Sequence, residues 1–327
     1  MITGILLDTQ GSARPLRDFF VRRVLRIFPL YYAVLIVAFV MLPLLGITSA
    51  SLQFDTPHQI WLWTYLSNWT APFPDLASRT FPHFWSLALE EQFYLVWPFL
   101  LLGRTPRQVL WLGLGLALLS LAARVLMYED DLPHGVVATA TYTFSICRID
   151  ALALGGAMAA ALRIPELSSR LRQHRQKLLL GAAALGVAGL FVTHGYTRVG
   201  AIEQTAGYAV LSVVFALFVC AGASADGADQ AQPDRRADQA IWARALRHPL
   251  LATIGQYSYA MYVLHKPIHD FIGKPVLQKL GVDALGSAWV NVVYVAAGTA
   301  VTFGAGWLSY HLFERHFLTL KDRFAPR

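Results

Sequence analysis

The sequence predicts an all-α, polytopic transmembrane helical bundle of about eight complete spans plus an N-terminal stub. Three observations carry that prediction. Of 327 residues, 56% are hydrophobic and only 14% are charged, whereas a soluble chain of this length carries about 25% charged residues. The apolar residues gather into runs of roughly 20, the length that crosses ~30 Å of hydrocarbon. The loops between the runs are alternately rich and poor in Lys and Arg, as the positive-inside rule requires. Nine Trp and thirteen Tyr suit the aromatic belts of a membrane protein.

Taken in order, Met1 to Leu7 is apolar but about a third of a spanning length, and it reads as the tail of a helix whose beginning is absent. A basic stretch follows, with Arg14, Arg17, Arg22, Arg23 and Arg26 set among aromatics. Eight spans are then expected at about 28–47, 84–102, 110–128, 141–163, 178–197, 204–222, 250–272 and 288–310. The segment 58–69, HQIWLWTYLSNW, is too short to cross and rich in aromatics, so it is expected to be an interfacial or re-entrant helix. With that segment not crossing, the loops on one side carry twenty Lys and Arg against four on the other. The basic side, including the C-terminus, is therefore expected to be cytoplasmic. The polar stretch within 223–249 reads as a cytoplasmic linker inside a single membrane domain covering 1–327. Pro43 and Pro98 are expected to kink or end their helices. Gly155 and Gly156, Gly181, Gly186 and Gly189, and Gly298, Gly304 and Gly306 are expected to permit close helix packing.

The net charge of +7 does not indicate nucleic acid, because the cations sit in the loops of one side, where topology accounts for them. Cys147 and Cys220 lie singly inside apolar runs and read as small core hydrophobes, with neither disulfide nor metal spacing.

Chemistry is expected where polar groups enter apolar spans, because each such group is costly unless it is paired or hydrated. In FWSLALEEQFYLVWP, residues 84–98, Glu90 and Glu91 are adjacent. Helical steps of three and four place His83, Ser86, Glu90, Tyr94 and Trp97 on one face, with Glu91 about 100° away. Arg148 and Asp150 occur within another span and His265 within a third. Glu90, Arg148, Asp150 and His265, four ionisable groups at one depth, form either a structural ion-pair network or a polar cavity, and the cavity is the preferred reading. Ser258, Tyr262, His265 and His269 share a helical face, which suits proton transfer at His265. Two His at this spacing can also ligate a metal, but no acid or Cys partner with recognisable spacing accompanies them, so no metal is expected. His265 and Asp270 match an H-x-x-x-x-D pattern, yet on a continuous helix they diverge by about 140°. Arg23 and Arg26 form an R-x-x-R pair at the mouth of the first complete span. They read either as a positive-inside anchor touching lipid phosphate or as a phosphate-binding fork.

The stretches ITGILLD, RRVLRIFPLYY, HFWSLALEEQFYLVWP, FSICRIDALALGG, IGQYSYAMYVLHKPI and SYHLFERHFLTLK occur in this order almost from end to end. Together they resemble acyltransferase family 3, bacterial membrane enzymes that O-acylate surface polysaccharides and related acceptors. The resemblance implies a ten-helix bundle in the bacterial inner membrane, with both termini cytoplasmic. It implies an acyl-CoA donor, most simply acetyl-CoA, on the cytoplasmic side and a glycan or lipid-linked glycan acceptor on the other. It assigns Arg23 and Arg26 to the donor. It places Trp85, Ser86, Leu87 and Glu90, then Arg148 and Asp150, then Ser258, Tyr259, Tyr262 and His265, in the family's other motifs. The family pattern begins with a helix bearing a basic residue and then a His regarded as the catalytic base. The chain opens after that pattern, as though the first helix and most of the second were missing, so the resemblance does not give His265 that role.

The function expected is O-acyl transfer from acyl-CoA to a hydroxyl, with Glu90, Arg148, Asp150 and His265 lining the site and Arg23 and Arg26 holding the donor. A transporter of acyl groups or acylated glycans, and an inactive truncated remnant, are the alternatives. Membrane lipid is an expected partner and nucleic acid is not.

Overall fold

A computed structural model describes residues 2–11, 14–128, 134–196, 200–226, 248–279, 288–321 and 323, and the described residues form helices and no strands. Six helices are long and apolar enough to cross a membrane: Pro15–Leu44, Pro106–Met127, Val136–Ala161, Arg175–Val192, Glu203–Ala223 and Trp289–Lys321. The other two expected spans are helical as well, over Phe84–Leu101 and Pro249–Ile268. Each carries polar groups, Glu90 and Glu91 in one, His265 and Lys266 in the other, which lowers its apolarity. The stretch 58–69 does not form one helix. It breaks into single turns, Ile60–Trp63 and Ser67–Thr70, separated by Tyr65, whose φ is +55°. Most of the expected linker 223–249 lies outside the described residues.

The chain divides into two compact units. The first comprises Met1–Pro15, Tyr65–Asp75 and Trp85–Arg244. Within it we number α1 (Ile2–Asp8), α3 (Phe84–Leu101), α4 (Pro106–Met127), α5 (His134–Thr143), α6 (Ser145–Ala161), α7 (Pro165–Gln173), α8 (Arg175–Val192) and α9 (Tyr208–Asp226). The second comprises Leu16–Thr64, Leu76–Phe84 and Ala245–Arg327. It holds α2 (Pro15–Ile36, which starts at the unit boundary), α10 (Pro249–Ile268) and α11 (Ala288–Ser309).

In the first unit α6 is the central helix, packed on α1, α4, α5 and α9. Small residues make this possible. Ala153, Ala157 and Ala160 are fully buried, and a Cβ placed on Gly113 of α4 would meet the Ala153 carbonyl at 2.6 Å. Close approach of backbones through small residues is how helices associate where no hydrophobic drive separates helix from lipid. Gly156 serves the same purpose, whereas Gly155 faces open space. α4 is framed by a capping box in which Thr105 accepts from the Gln108 N–H and Gln108 accepts from the Thr105 N–H.

In the second unit α10 packs against α11, with Met261 closest to Gly306. The Tyr259 hydroxyl donates to the Ile27 carbonyl of α2 at 2.6 Å. α2 is in turn held by Tyr31, whose hydroxyl donates to the Leu62 carbonyl at 2.7 Å, and by Tyr32, which stacks on Trp63. A buried carboxylate organises the loop ahead of α3. Asp55 accepts from the Ser78 hydroxyl and from the Arg79 and Thr80 amides, each at 2.8 Å.

Candidate active site

In the first unit the helical run breaks at Phe144, where ψ is +136°, separating α5 from α6. A break leaves backbone groups that need other partners. The Asn68 amide donates to the Thr143 carbonyl at 3.2 Å and to the Ser145 hydroxyl at 2.9 Å. Gln92 of α3 completes the network. Its amide donates to the Tyr65 carbonyl and to Asn68 Oδ1, both at 2.8 Å, and its Oε1 accepts from Ser145. These bonds fix the first turn of α6, and Arg148 and Asp150 sit immediately after it.

Those two residues separate. Positions i and i+2 of a helix do not face each other, and the structure gives each its own surroundings. Asp150 turns inward to Arg124 of α4, with 3.0 Å between Nη2 and Oδ2 and both side chains buried. Arg124 also donates from Nε to the Thr205 carbonyl at 3.2 Å and from Nη1 to the Cys147 carbonyl. Thr205 lies in the π-helical turn Glu203–Gly207 that precedes α9. One arginine thus ties α4, α6 and the start of α9, with its charge balanced by Asp150.

Arg148 points elsewhere. Its guanidinium carbon lies 5.2 Å from the Tyr142 ring centroid and 4.8 Å from that of Tyr208. The two rings are 5.6 Å apart, and Trp85 packs on Tyr142 at 4.8 Å. Guanidinium groups are favoured at such distances over ring faces. The Nε atom of Arg148 is buried without a hydrogen-bond partner, and among the described residues no carboxylate pairs with this arginine. Glu90 of α3 accepts from the Tyr94 hydroxyl at 3.0 Å, the one-turn contact expected of positions i and i+4.

In the second unit His265 lies beside His83, with ring centroids 4.5 Å apart. Nδ1 of His265 meets the Tyr262 carbonyl at 2.6 Å. A carbonyl only accepts, so Nδ1 carries a proton in this contact. The Tyr262 hydroxyl donates to the His83 carbonyl at 2.7 Å. Burial, reinforced by the neighbouring His265, pushes His83 down to about 3, so its ring is neutral at physiological pH. Ser258, Tyr262, His265 and His269 line one groove of about 780 Å³ between α10 and α11, as their helical spacing predicts. His269 bonds the Tyr294 hydroxyl there. Asp270 is engaged by Lys266 at 2.5 Å and by Lys274 at 2.8 Å. Arg23 and Arg26 lie one turn apart on α2; Arg23 is half-buried, 5.9 Å from the Phe19 ring centroid, and Arg26 is exposed, within electrostatic range of the buried Glu314.

Sequence reasoning did not single out Arg124, although a lone arginine in the apolar run LAARVLM is itself a signal. It also did not single out Asn68, Gln92, Tyr142 or Tyr208, whose roles come from long-range contacts.

These helices and groups define a polytopic membrane protein whose helices carry a caged cation, a buried ion pair and an imidazole held through Nδ1 by a backbone carbonyl. The acyltransferase-domain family Acyl_transf_3 matches residues 1–311, and the chain belongs to that family. It is 26% identical over 292 residues to the O-acetyltransferase OatA of Staphylococcus aureus (strain NCTC 8325 / PS 47), covering 85% of this chain and 45% of that protein. It is 27% identical over 336 residues to YrhL of Bacillus subtilis (strain 168), covering 98% of this chain and 48% of that protein. A shorter match, 30% over 142 residues, links it to the peptidoglycan O-acetyltransferase OatA of Listeria monocytogenes, covering 39% of this chain and 22% of that protein. The chain spans about half the length of the first two. No solved structure matches.

Proposed function

We propose that the protein is a membrane O-acyltransferase that moves an acetyl group from acyl-CoA to a hydroxyl of a cell-surface glycan. The observation that carries this reading is the family match over nearly the whole chain, and the names of the relatives point to acetyl as the group moved. The acceptor oxygen attacks the thioester carbonyl, the carbon–sulfur bond breaks, and the hydroxyl proton passes to the departing thiolate through a neutral base. His265 presents the lone pair of Nε2 to the acceptor hydroxyl and orients it. Glu90 is held by Tyr94, and Asp150 acts through Arg124 to hold Arg148 in place. Arg23 and Arg26 take the donor's phosphates, for which guanidinium forks are suited. The protein works in the bacterial inner membrane with its C-terminus on the cytoplasmic side, the side that the basic loops favour.

Radiolabelled acetyl-CoA supplied to inverted vesicles tests this. The expected product is a base-labile ester on glycan, whereas a transporter leaves no covalent ester. Arg23→Ala and Arg26→Ala are expected to raise KM for acetyl-CoA by at least tenfold, and an unchanged KM removes these residues from the donor site.

A further inference from the structure

The half-buried cation between Tyr142 and Tyr208, whose Nε is buried, lacks among the described residues the counter-ion that Asp150 and Asp270 possess. Asp150 has Arg124, and Asp270 has two lysines. Arg148 has two ring faces and, among the described residues, no carboxylate, and its buried Nε has no acceptor. The acid two positions along cannot serve it, because Asp150 faces away and is engaged by Arg124. The rings add attraction to the guanidinium, but they accept no proper hydrogen bond in its plane and leave its positive charge uncompensated.

The clamp is also held in place. Arg124 binds the Thr205 carbonyl in the turn leading into Tyr208. The Thr141 hydroxyl, next to Tyr142, donates to Gln204 Oε1 at 3.0 Å in the same turn. Trp85 closes on Tyr142 from α3. The aromatic faces fix the plane of the guanidinium and leave its N–H edge to define what binds. A planar fork of donors with no internal acceptor matches an anionic oxygen.

We propose that Arg148 is a binding site for an anionic oxygen of the substrate, which supplies the counter-ion that no described residue supplies. The Trp85–Tyr142–Tyr208 cage and the Arg124–Asp150 pair keep that site preorganised. The oxygen belongs either to a phosphate of the donor or to the carbonyl that becomes an oxyanion during acyl transfer. Both sources rest on the proposed activity, and the anion site itself does not.

Arg148→Gln is the informative variant, because the side chain makes few bonds whose loss would unfold the protein. Should it not fold, Arg148→Lys, which keeps the charge and loses the fork, takes its place. Thermal unfolding of the full chain in detergent is followed while sodium phosphate, and separately coenzyme A, is titrated at constant ionic strength. The wild type is expected to gain several degrees with one or both probes, and the variant to gain less than half as much. In acetyl transfer, a KM for acetyl-CoA raised at least tenfold with kcat little changed assigns the oxygen to a donor phosphate. A kcat lowered at least 100-fold with KM unchanged assigns it to the oxyanion. A folded variant matching the wild type in anion response, KM and kcat overturns the site. If the wild type transfers nothing, the acyl-transfer reading fails, and the anion titration still decides the site: a wild type that responds to neither probe overturns it.

Discussion

The Trp97 indole N–H donates to the Thr3 hydroxyl at 3.0 Å, and the two side chains meet where Gly156 offers no side chain of its own. A Cβ on Gly156 would lie 2.7 Å from the Trp97 ring and 2.9 Å from Thr3 Oγ1, while one on neighbouring Gly155 would meet nothing within 4 Å. In a helix, Gly→Ala ordinarily stabilises by about 0.8–1 kcal/mol, and overpacking costs about 1–3 kcal/mol. Gly155→Ala is therefore expected to raise the unfolding temperature in detergent and Gly156→Ala to lower it. Opposite signs at adjacent residues are the measurement that checks this contact, and Thr3→Val in the Gly156→Ala background should cost little more.

Acid is expected to weaken the second unit through His83. Its pKa lies well below 6.5, at about 3, chiefly because it is buried. For a base held neutral by the fold, stability is complete above the unfolded pKa and is lost as pH falls from 6.5 towards the folded value, by about 1.4 kcal/mol per pH unit. The wild type should lose more thermal stability than His83→Asn between pH 7.5 and pH 5.5. Equal losses in the two proteins would show that other groups carry the acid sensitivity.

Asp55 governs the loop that delivers His83. Its carboxylate satisfies two backbone amides and the Ser78 hydroxyl while almost fully buried, and a lost bond to a buried charged group costs about 1.5–3 kcal/mol. Asp55→Ala should lower stability by roughly 3 kcal/mol and speed hydrogen exchange at the Arg79 and Thr80 amides by at least tenfold. Exchange that stayed slow at these two amides would mean that another group holds the loop.

The helices were legible because apolar run length and loop charge are local properties, and helices occupy all eight expected positions. The groove face of α10 was legible for the same reason: Ser258, Tyr262, His265 and His269 follow helical steps, and they line one groove. What could not be read was partnership. Arg148 and Asp150 look like one motif, yet a two-residue step sends them to different neighbours, one to a pair of tyrosine rings and the other to Arg124. The stretch 58–69 has the composition of an interfacial helix, but Tyr65 adopts a positive φ and divides it. That departure directs the Tyr65 carbonyl to Gln92, a bond between distant parts of the sequence that no periodicity reveals.

Gln92 gives the sharpest test of that bond. Its amide nitrogen faces two acceptors, the Tyr65 carbonyl and Asn68 Oδ1, so the position needs a donor. Gln92→Glu keeps the shape and, once ionised, removes both donors and sets a negative charge against two oxygens. Truncation to Ala leaves the same two acceptors unpaired but sets no charge against them. Gln92→Glu should therefore be less stable than Gln92→Ala at pH 8, as followed by thermal unfolding of both variants. A Gln92→Glu protein as stable as Gln92→Ala would place the Gln92 side chain outside this network.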